Sequence, residues 1–497
     1  MKISNPELAA LWDERELSFD VETTGLRPFH GDVPFAAVLS TGVKSAYVDL
    51  TDGDALRELI EFVRLRPRLY YMHNAKFDMH HARRVGIEFT GSDIVCTAAL
   101  ARVVNSDLPG GYSLANCGKV YLGEDKFDTV MNYISENGLH TDVEVEGLAK
   151  KVRLLHFDRV PRELIEPYAR QDGYLTYKLG QCLRDRLVLQ IADDPKIKPT
   201  VALNERELTK TCWGMEQRGV RLDMNFVREA ISYEQARFEQ AVKDFASETG
   251  KDYVVSSKAF TEAFEGVGVD VGSLKKTDKG NTQFDHKALG GIDHGAARAA
   301  LVAKDAKSRL NFLAGFAYHV DGQGLIHTSF RQYGTKTGRF SSAEPNLQNL
   351  SRPDVDDDDE TALLEEFPIR RAIVPYSPDY CLVMADFAQQ EFRMMLDYAG
   401  QLDLIEEIKA GKDVHSATAE LVGVERYKAK TLNFALLYGA GPARVAEMLG
   451  ITEEEARELI WKFYAALPKV DALIKAIRRS EEHTSELQSL AYLVCRL

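Results

Sequence analysis

Residues 426–438 read RYKAKTLNFALLY, a stretch without proline or glycine. Cations and aromatic residues recur in it at every fourth position: Arg426, Lys430, Phe434 and Tyr438. On an α-helix this spacing gathers the four side chains on one broad face, while Ala429, Leu432 and Leu436 fall on the opposite face. Cations neutralise phosphate oxygens, and aromatic rings stack on bases. The pattern therefore predicts an amphipathic helix that binds a nucleoside triphosphate, with an ordinary solvated helix as the alternative for the segment taken alone.

Two groups of residues upstream strengthen this interpretation. TGRFSS occupies residues 337–342 and is followed by PNLQN at residues 345–349, and ADFAQQEFR occupies residues 385–393. The last group follows the apolar run CLVM at residues 381–384. Asp386 is therefore expected at the end of a buried strand, where its carboxylate can hold a metal ion.

In this order the motifs resemble those of the family A DNA polymerases, the relatives of bacterial DNA polymerase I. The resemblance extends to about residue 478, and without an amino-terminal flap nuclease the chain looks most like a bacteriophage replicative polymerase. It implies that Asp386 is a metal ligand of the palm and that Glu391 excludes ribonucleotides by crowding the sugar 2′ position. It also implies contacts to primer or template in the minor groove, where base pairs look alike, from Arg339, Gln348 and Asn349.

The same resemblance assigns roles on the predicted helix. Arg426 and Lys430 hold the incoming triphosphate, and Lys430 also donates a proton to the departing pyrophosphate. Phe434 stacks near the sugar and base, and Tyr438 lies near the templating position. His415, in DVH at residues 413–415, is expected within reach of a phosphate; a polar residue at the start of a helix is the alternative.

A second set of acidic residues lies near the amino terminus. The predicted strand LSFDVET at residues 17–23 puts Asp20 and Glu22 on one face. Asp78 closely follows another apolar run, at residues 69–72, and Tyr168 and Asp172 are neighbours one turn apart on a predicted helix. Four carboxylates in one site would repel one another strongly without cations.

This set resembles the proofreading exonucleases of the DEDD type, in the variant with a tyrosine four residues before the last aspartate. The resemblance implies that Asp20, Glu22, Asp78 and Asp172 hold two Mg²⁺ or Mn²⁺ ions, and that Tyr168 orients the attacking water. Two such ions are likewise implied for the polymerase site.

Composition narrows the class of protein. A chain of 497 residues with 45% hydrophobic residues predicts two to four domains with their own cores. No signal peptide or membrane-spanning run is found, so a cytoplasmic location is expected, in a bacterial host cell if the source is a phage. The net charge of -14 leaves DNA binding to local basic tracks. Scattered cysteines argue for a reducing compartment and against structural zinc: Cys96, Cys117, Cys182, Cys212, Cys381 and Cys495.

These observations predict an α/β and α+β multidomain fold, with an RNase H-like exonuclease domain followed by a partial right-hand polymerase comprising thumb, part of the palm and fingers. The expected domains are the exonuclease at 1–190, the helices leading into the polymerase and the thumb at 191–330, the partial palm at 331–400, the fingers at 401–478 and a non-native tail at 479–497. The expected partners are DNA primer-template, deoxynucleoside triphosphates and processivity or replisome factors, with no membrane.

The sequence departs from the family at one point. Family A polymerases carry a second palm carboxylate in a His-Asp-Glu turn after the nucleotide-binding helix, whereas here His483 is followed by Thr484 and Ser485. RSEEHTSELQS, at residues 479–489, resembles the translation of a sequencing-library adapter.

The resulting prediction is a DNA-directed DNA polymerase, a nucleotidyltransferase of DNA replication with a 3′–5′ proofreading nuclease, that is deficient in polymerisation as it stands. A stand-alone metal-dependent 3′–5′ exonuclease, acting on DNA or RNA, is one alternative. A non-catalytic module that binds primer-template DNA is the other.

Overall fold

The computed structural model describes residues 3–144, 152–193, 199–277, 279–335, 338–350 and 366–482. The predicted non-native tail beyond residue 482 and Thr337 of the TGRFSS motif lie outside these residues. The chain divides into two compact units. The first comprises Met1–Arg331 with Ser341–Cys381, and the second comprises Gln332–Phe340 with Leu382–Leu497.

The first unit begins with a mixed five-stranded sheet in the order β3-β2-β1-β4-β5. Its strands are β1 Glu16–Thr23, β2 Pro34–Ser40, β3 Ser45–Asp49, β4 Leu69–Met72 and β5 Asp93–Cys96. β1 runs antiparallel to β2 and parallel to β4. Leu17, Phe19 and Val21 are buried on one side of β1. Because side chains alternate along a strand, Asp20 and Glu22 share the other side, and the prediction for this strand is confirmed.

Helices and a hairpin surround this sheet. They are α1 Pro6–Ala10, α2 Gly53–Leu65, α3 Ala75–Arg84, α4 Thr97–Val104, α5 Leu114–Cys117, α6 Thr129–Glu136, α7 Arg162–Asp193, and the pair β6 His140–Val143 and β7 Val152–Leu155. The long helix α7 packs directly on β1 and β2. Ser18 Oγ donates a hydrogen bond of 2.7 Å to the carbonyl oxygen of Gly173. A Cβ atom at residue 173 would lie 2.8 Å from Val38 Cγ1, so a glycine is needed for this close approach.

The rest of the first unit is mainly helical. Its elements are α8 Thr200–Arg218, α9 Met224–Thr249, α10 Ser257–Gly266, α11 His286–Gly290 and α12 Gly295–His319, with short strands β8 Val220–Arg221, β9 Leu325–Ile326, β10 Ser329–Arg331 and β11 Ser341–Ala343. Buried alanines on α12, among them Ala300 and Ala303, let it pack closely along α9. Gly219 ends α8 with a φ of 67°, a left-handed value that glycine adopts readily.

A buried carboxylate on α8 connects α3 with β10. The Glu216 side chain accepts hydrogen bonds from the Lys76 ammonium group and from the Phe330 N–H, the latter at 2.6 Å. Its other oxygen lies 2.7 Å from His80 Nε2. Lys76 and His80 stand two residues before and after Asp78 on α3. Glu216 therefore ties the helix that carries Asp78 to the part of the chain beyond residue 200.

We expect Glu216→Ala to lower the free energy of unfolding of the first unit by about 3 to 5 kcal/mol, because it leaves the Lys76 ammonium group buried without its partner. Glu207→Ala on the same helix is the matched control: Glu207 is exposed and its ion pairs are at the surface, so its effect should stay within about 1 kcal/mol. Urea unfolding followed by circular dichroism measures both. Equal effects of the two substitutions would contradict this account of Glu216.

The second unit is a cluster of helices. They are α13 Gln390–Ala399, α14 Leu402–Lys409, α15 Val414–Val422, α16 Arg426–Leu437, α17 Pro442–Leu449, α18 Glu453–Ala466 and α19 Pro468–Glu482. Their apolar faces form one core, which includes Leu396, Leu432, Leu436 and Phe463. No described helix is both long enough and apolar enough to cross a membrane.

The prediction of a buried strand at residues 381–384 is wrong. The segment has no regular secondary structure, and Val383 and Met384 are 83% and 96% exposed. A strand needs neighbouring backbone for its hydrogen bonds, and no described strand pairs with this segment. Asp386 consequently lies exposed on the loop before α13.

Candidate metal centre and nucleotide-binding surface

Four carboxylates meet where β1, α3 and α7 come together. Oxygen atoms of Asp20 and Glu22 on β1 and of Asp172 on α7 lie within 4.8 Å of one another. Asp78 on α3 reaches the same strand, because its Oδ1 accepts a hydrogen bond of 3.2 Å from the Val21 N–H. The structure thus brings together acidic residues from three distant parts of the sequence.

Burial and mutual repulsion oppose ionisation of this cluster. Burial, with the charge of Asp172 adding to it, raises the pKa of Asp20 to about 7. Burial followed by the charge of Asp20 raises the pKa of Glu22 and of Asp78. Burial likewise raises the pKa of Asp172. The fully ionised cluster is therefore unfavourable unless cations compensate it.

The donor atoms fit divalent cations. Asp78 Oδ2 and Asp172 Oδ1 are buried and have no hydrogen-bond partner within the described residues. Buried oxygens without partners are costly, and a cation would satisfy them. A set made of carboxylate oxygens is the kind that Mg²⁺ and Mn²⁺ prefer.

Two further side chains border the carboxylates. Tyr168 lies one turn before Asp172 on α7, and burial raises the pKa of its hydroxyl to about 12. The Lys126 ammonium group donates a hydrogen bond to Asp172 Oδ2 and lies 4.5 Å from the centre of the Tyr168 ring. Lys126 was not predicted from the sequence, because it belongs to no motif and lies in a charged loop before α6 whose composition is typical of a surface.

The helix predicted at residues 426–438 is present as α16, with Tyr438 directly after its last residue. Its cationic and aromatic side chains are exposed: Arg426, Lys430, Phe434 and Tyr438. On the opposite side Ala429, Leu432 and Leu436 are buried in the core of the second unit. The amphipathic character predicted for this stretch is confirmed.

Three of the predicted polymerase residues form a hydrogen-bonded group within the second unit. Arg339 forms an ion pair with Glu391 and donates a hydrogen bond of 2.7 Å to the Tyr438 hydroxyl. That hydroxyl in turn donates to Glu391 Oε2 at 2.9 Å. The structure therefore brings together Glu391, which was expected at the sugar, Tyr438, which was expected near the template, and Arg339, which was expected at the minor groove.

His415 lies beneath the exposed face of α16. Asn433 on the buried side of α16 donates a hydrogen bond of 3.1 Å to His415 Nδ1. Burial lowers the pKa of His415, and the charges of Arg426 and Lys430 lower it further against the opposing charge of Asp413. A neutral imidazole that accepts at Nδ1 carries its proton on Nε2. Asn433 was not predicted; a polar residue on the apolar side of the helix was the available signal.

The remaining predicted residues belong to none of the groups of contacts described above. Gln348 and Asn349 are exposed on the turn Leu347–Asn349 of the first unit. Asp386 is not part of a carboxylate cluster in the described structure, where the acidic group able to share a metal ion is that of Asp20, Glu22 and Asp172.

Comparisons with known proteins cover both units. Residues 6–188 match the 3′-5′ exonuclease family, and residues 224–492 match DNA polymerase family A. The chain belongs to DNA polymerase family A. The polymerase match continues past residue 478, the predicted end of the native sequence. The predicted order of an exonuclease domain followed by a family A polymerase domain is confirmed.

Relatives of this family A chain include bacterial and phage proteins. DNA polymerase I of Chloroflexus aurantiacus is 27% identical over an alignment of 481 positions, which covers 91% of this chain and 47% of the relative. DNA polymerase DpoZ of Salmonella phage PMBT28 is 25% identical over an alignment of 528 positions, which covers 96% of this chain and 79% of the relative. The chain thus spans about half the length of that bacterial relative.

A solved structure shares the fold. The POL domain of Pol1 from M. smegmatis, in complex with DNA primer-template and dNTP, matches with a TM-score of 0.74 at 21% identity. The match covers 97% of this chain and 78% of that one.

In the absence of metal, this family A chain should lose stability as the pH rises toward 7. The folded pKa of Asp20, about 7, lies above its ordinary value of 3.8. The folded state therefore holds the proton more tightly, and the stability that results is lost as the pH rises through the folded pKa. With a chelator present, Tm should fall between about pH 5 and pH 7 by a few degrees, and Asp20→Asn should reduce that fall.

Asp185→Asn is the matched control, because Asp185 is an exposed residue of α7. Its Tm should follow that of the parent chain across the same pH range. If the Tm of Asp20→Asn falls with pH as steeply as that of the parent, Asp20 is not the cause of the pH dependence.

Proposed function

We propose that the first unit is a 3′–5′ exonuclease that removes nucleotides from the end of a DNA strand. The observation that carries the proposal is the cluster of Asp20, Glu22 and Asp172, whose oxygens lie within 4.8 Å of one another, with Asp78 beside it. Bound Mg²⁺ or Mn²⁺ supplies charge stabilisation at the phosphate and an activated water. The four carboxylates hold the ions, and their buried, partner-free oxygens suit that task.

Tyr168 has a separate role. Because its pKa is raised to about 12, the hydroxyl stays protonated at neutral pH. A neutral phenol donates and accepts hydrogen bonds but does not act as a base. Tyr168 is therefore assigned the task of orienting the attacking water by hydrogen bonding.

We propose that the exposed face of α16 binds a deoxynucleoside triphosphate. Arg426 and Lys430 pair with its phosphates, and Phe434 stacks on the sugar and base. His415, whose ring centre lies 5.8 Å from that of Phe434, is proposed to donate its Nε2–H to a phosphate oxygen. Glu391, which is held by Arg339 and Tyr438, excludes ribonucleotides in this proposal by crowding the 2′ hydroxyl.

We further propose DNA primer-template as the partner, bound in part through Arg339, Gln348 and Asn349, with replisome factors as additional partners. Similarity to the phage polymerase supports a role in replication within a bacterial host cell. The 497-residue chain itself is proposed not to extend primers, because Asp386 is exposed and belongs to no group of three or more possible metal ligands among the described residues. One carboxylate leaves two ions poorly held.

One labelled primer-template separates these activities. With Mg²⁺ and all four deoxynucleotides, the chain should shorten the labelled strand from its 3′ end and never lengthen it. Asp20→Ala and Asp172→Ala should each lower the rate at least about 100-fold, since loss of a ligand exceeds the roughly 10- to 100-fold effect of residues that only orient ligands. Asp185→Ala, on the surface of α7, should retain the parent rate. Undiminished shortening by both ligand variants refutes the exonuclease site, and metal-dependent extension refutes the deficiency.

Nucleotide binding is tested apart from catalysis. Lys430→Ala should weaken triphosphate binding by about 1.5 to 3 kcal/mol, the contribution of a charged hydrogen bond, while duplex affinity changes little. Lys428→Ala is the control, because it removes the same charge from the same helix two positions away. Equal losses of nucleotide affinity in the two variants would contradict the proposed face, as would an equal loss of duplex affinity in Lys430→Ala.

A further inference from the structure

Lys126 is the cation of the exonuclease centre. Its ammonium group donates to Asp172 Oδ2 and lies over the Tyr168 ring, and its side chain is 18% exposed. Within the described residues, no other ion pair is formed by Asp20, Glu22, Asp78 or Asp172. One positive charge thus offsets part of the repulsion among four carboxylates.

The loop that carries Lys126 is fastened to α7 on both sides of it. Gln171, the residue before Asp172, accepts a hydrogen bond of 2.7 Å from the Phe127 N–H. The Gln171 side chain also donates to the Asp125 carbonyl oxygen at 3.1 Å. Farther along, the Tyr174 hydroxyl donates to Glu124 at 2.9 Å. Three contacts from α7 therefore fix the loop, so the position of Lys126 is built into the fold.

An ammonium group and a divalent cation compete at this place. Lys126 takes one oxygen of Asp172, Oδ2, and a divalent cation bound at the neighbouring Oδ1 would stand only a few ångströms from the ammonium group. Two positive ions that close repel each other strongly where water is excluded. The lysine stem has four rotatable bonds, so the ammonium group can swing away while the loop stays in place. The displaced ammonium group of Lys126 can then pair with another negative group, such as a DNA phosphate bound at the same centre.

We propose that Lys126 is an internal counter-ion that occupies Asp172 until a divalent cation displaces it, so that it sets the metal concentration at which the centre is loaded. The inference rests on the proposed exonuclease function for its biological meaning. Its central claim concerns metal affinity, which is measured without DNA and without activity.

The test is a titration of the 497-residue chain with Mn²⁺, with free ion followed by electron paramagnetic resonance. Lys126→Met keeps much of the stem and removes the charge, and it should tighten Mn²⁺ binding roughly tenfold, the equivalent of about 1.4 kcal/mol. Lys126→Arg keeps the charge and should bind Mn²⁺ within about twofold of the parent, a difference well below that tenfold step. Asp172→Asn identifies which sites belong to this centre, because they should be lost in it.

Thermal unfolding provides the second readout. Without metal, Lys126→Met should have a lower Tm than the parent, because the carboxylates lose their counter-ion, and saturating Mn²⁺ should abolish the difference. Gln171→Leu removes the two hydrogen bonds of Gln171 to the loop but leaves Lys126 in the chain. It should also tighten Mn²⁺ binding. It serves as the deciding variant if Lys126→Met does not fold.

Unchanged or weaker Mn²⁺ binding in Lys126→Met would overturn the proposal, since a purely structural lysine, or one that positions Asp172 for the metal, gives those results. Absence of nuclease activity in the parent chain would instead count against the proposed function and leave the Mn²⁺ titration fully interpretable.

Discussion

The packing of α7 on β1 is the constraint on which the first unit depends. Gly173 presents no side chain to hold the helix away, and Ser18 bonds to its carbonyl oxygen. The preceding residue, Asp172, is thereby carried to the carboxylates of the strand. The packing of α7 on β1 thus has two consequences: it stabilises the sheet, and it gathers like charges in one place. Both follow from the same helix position, so a change in one side chain does not separate them.

Burial makes this concentration of negative charge unfavourable. In water four carboxylates would ionise with little mutual effect, whereas here burial and repulsion raise their pKa values and leave oxygens without partners. A divalent cation relieves this unfavourable state, and so, in part, does the ammonium group of Lys126. In the proposal made for Lys126, metal affinity therefore depends on the difference between neutralisation by the ion and neutralisation by the ammonium group.

In the second unit the two sides of α16 have different surroundings. The apolar side of α16 packs into the helical core and supplies the stability, while its cationic and aromatic side is exposed, as the proposed nucleotide binding requires. Asn433 is a polar residue on the buried side of α16, and its hydrogen bond to His415 Nδ1 leaves the neutral imidazole with its proton on Nε2.

The sequence by itself determined the features that arise from residues close together in the chain. The amphipathic face of α16, the pairing of Asp20 with Glu22 on β1, and the neighbours Tyr168 and Asp172 on α7 follow from the repeat of a helix or strand. Only the tertiary structure decided that Lys126 meets Asp172, that Glu216 anchors the helix of Asp78, and that residues 381–384 form no strand. Local geometry is set by backbone dihedrals, whereas these three depend on partners far away in sequence, and a strand or buried charge without its partner is unstable whatever its own residues prefer.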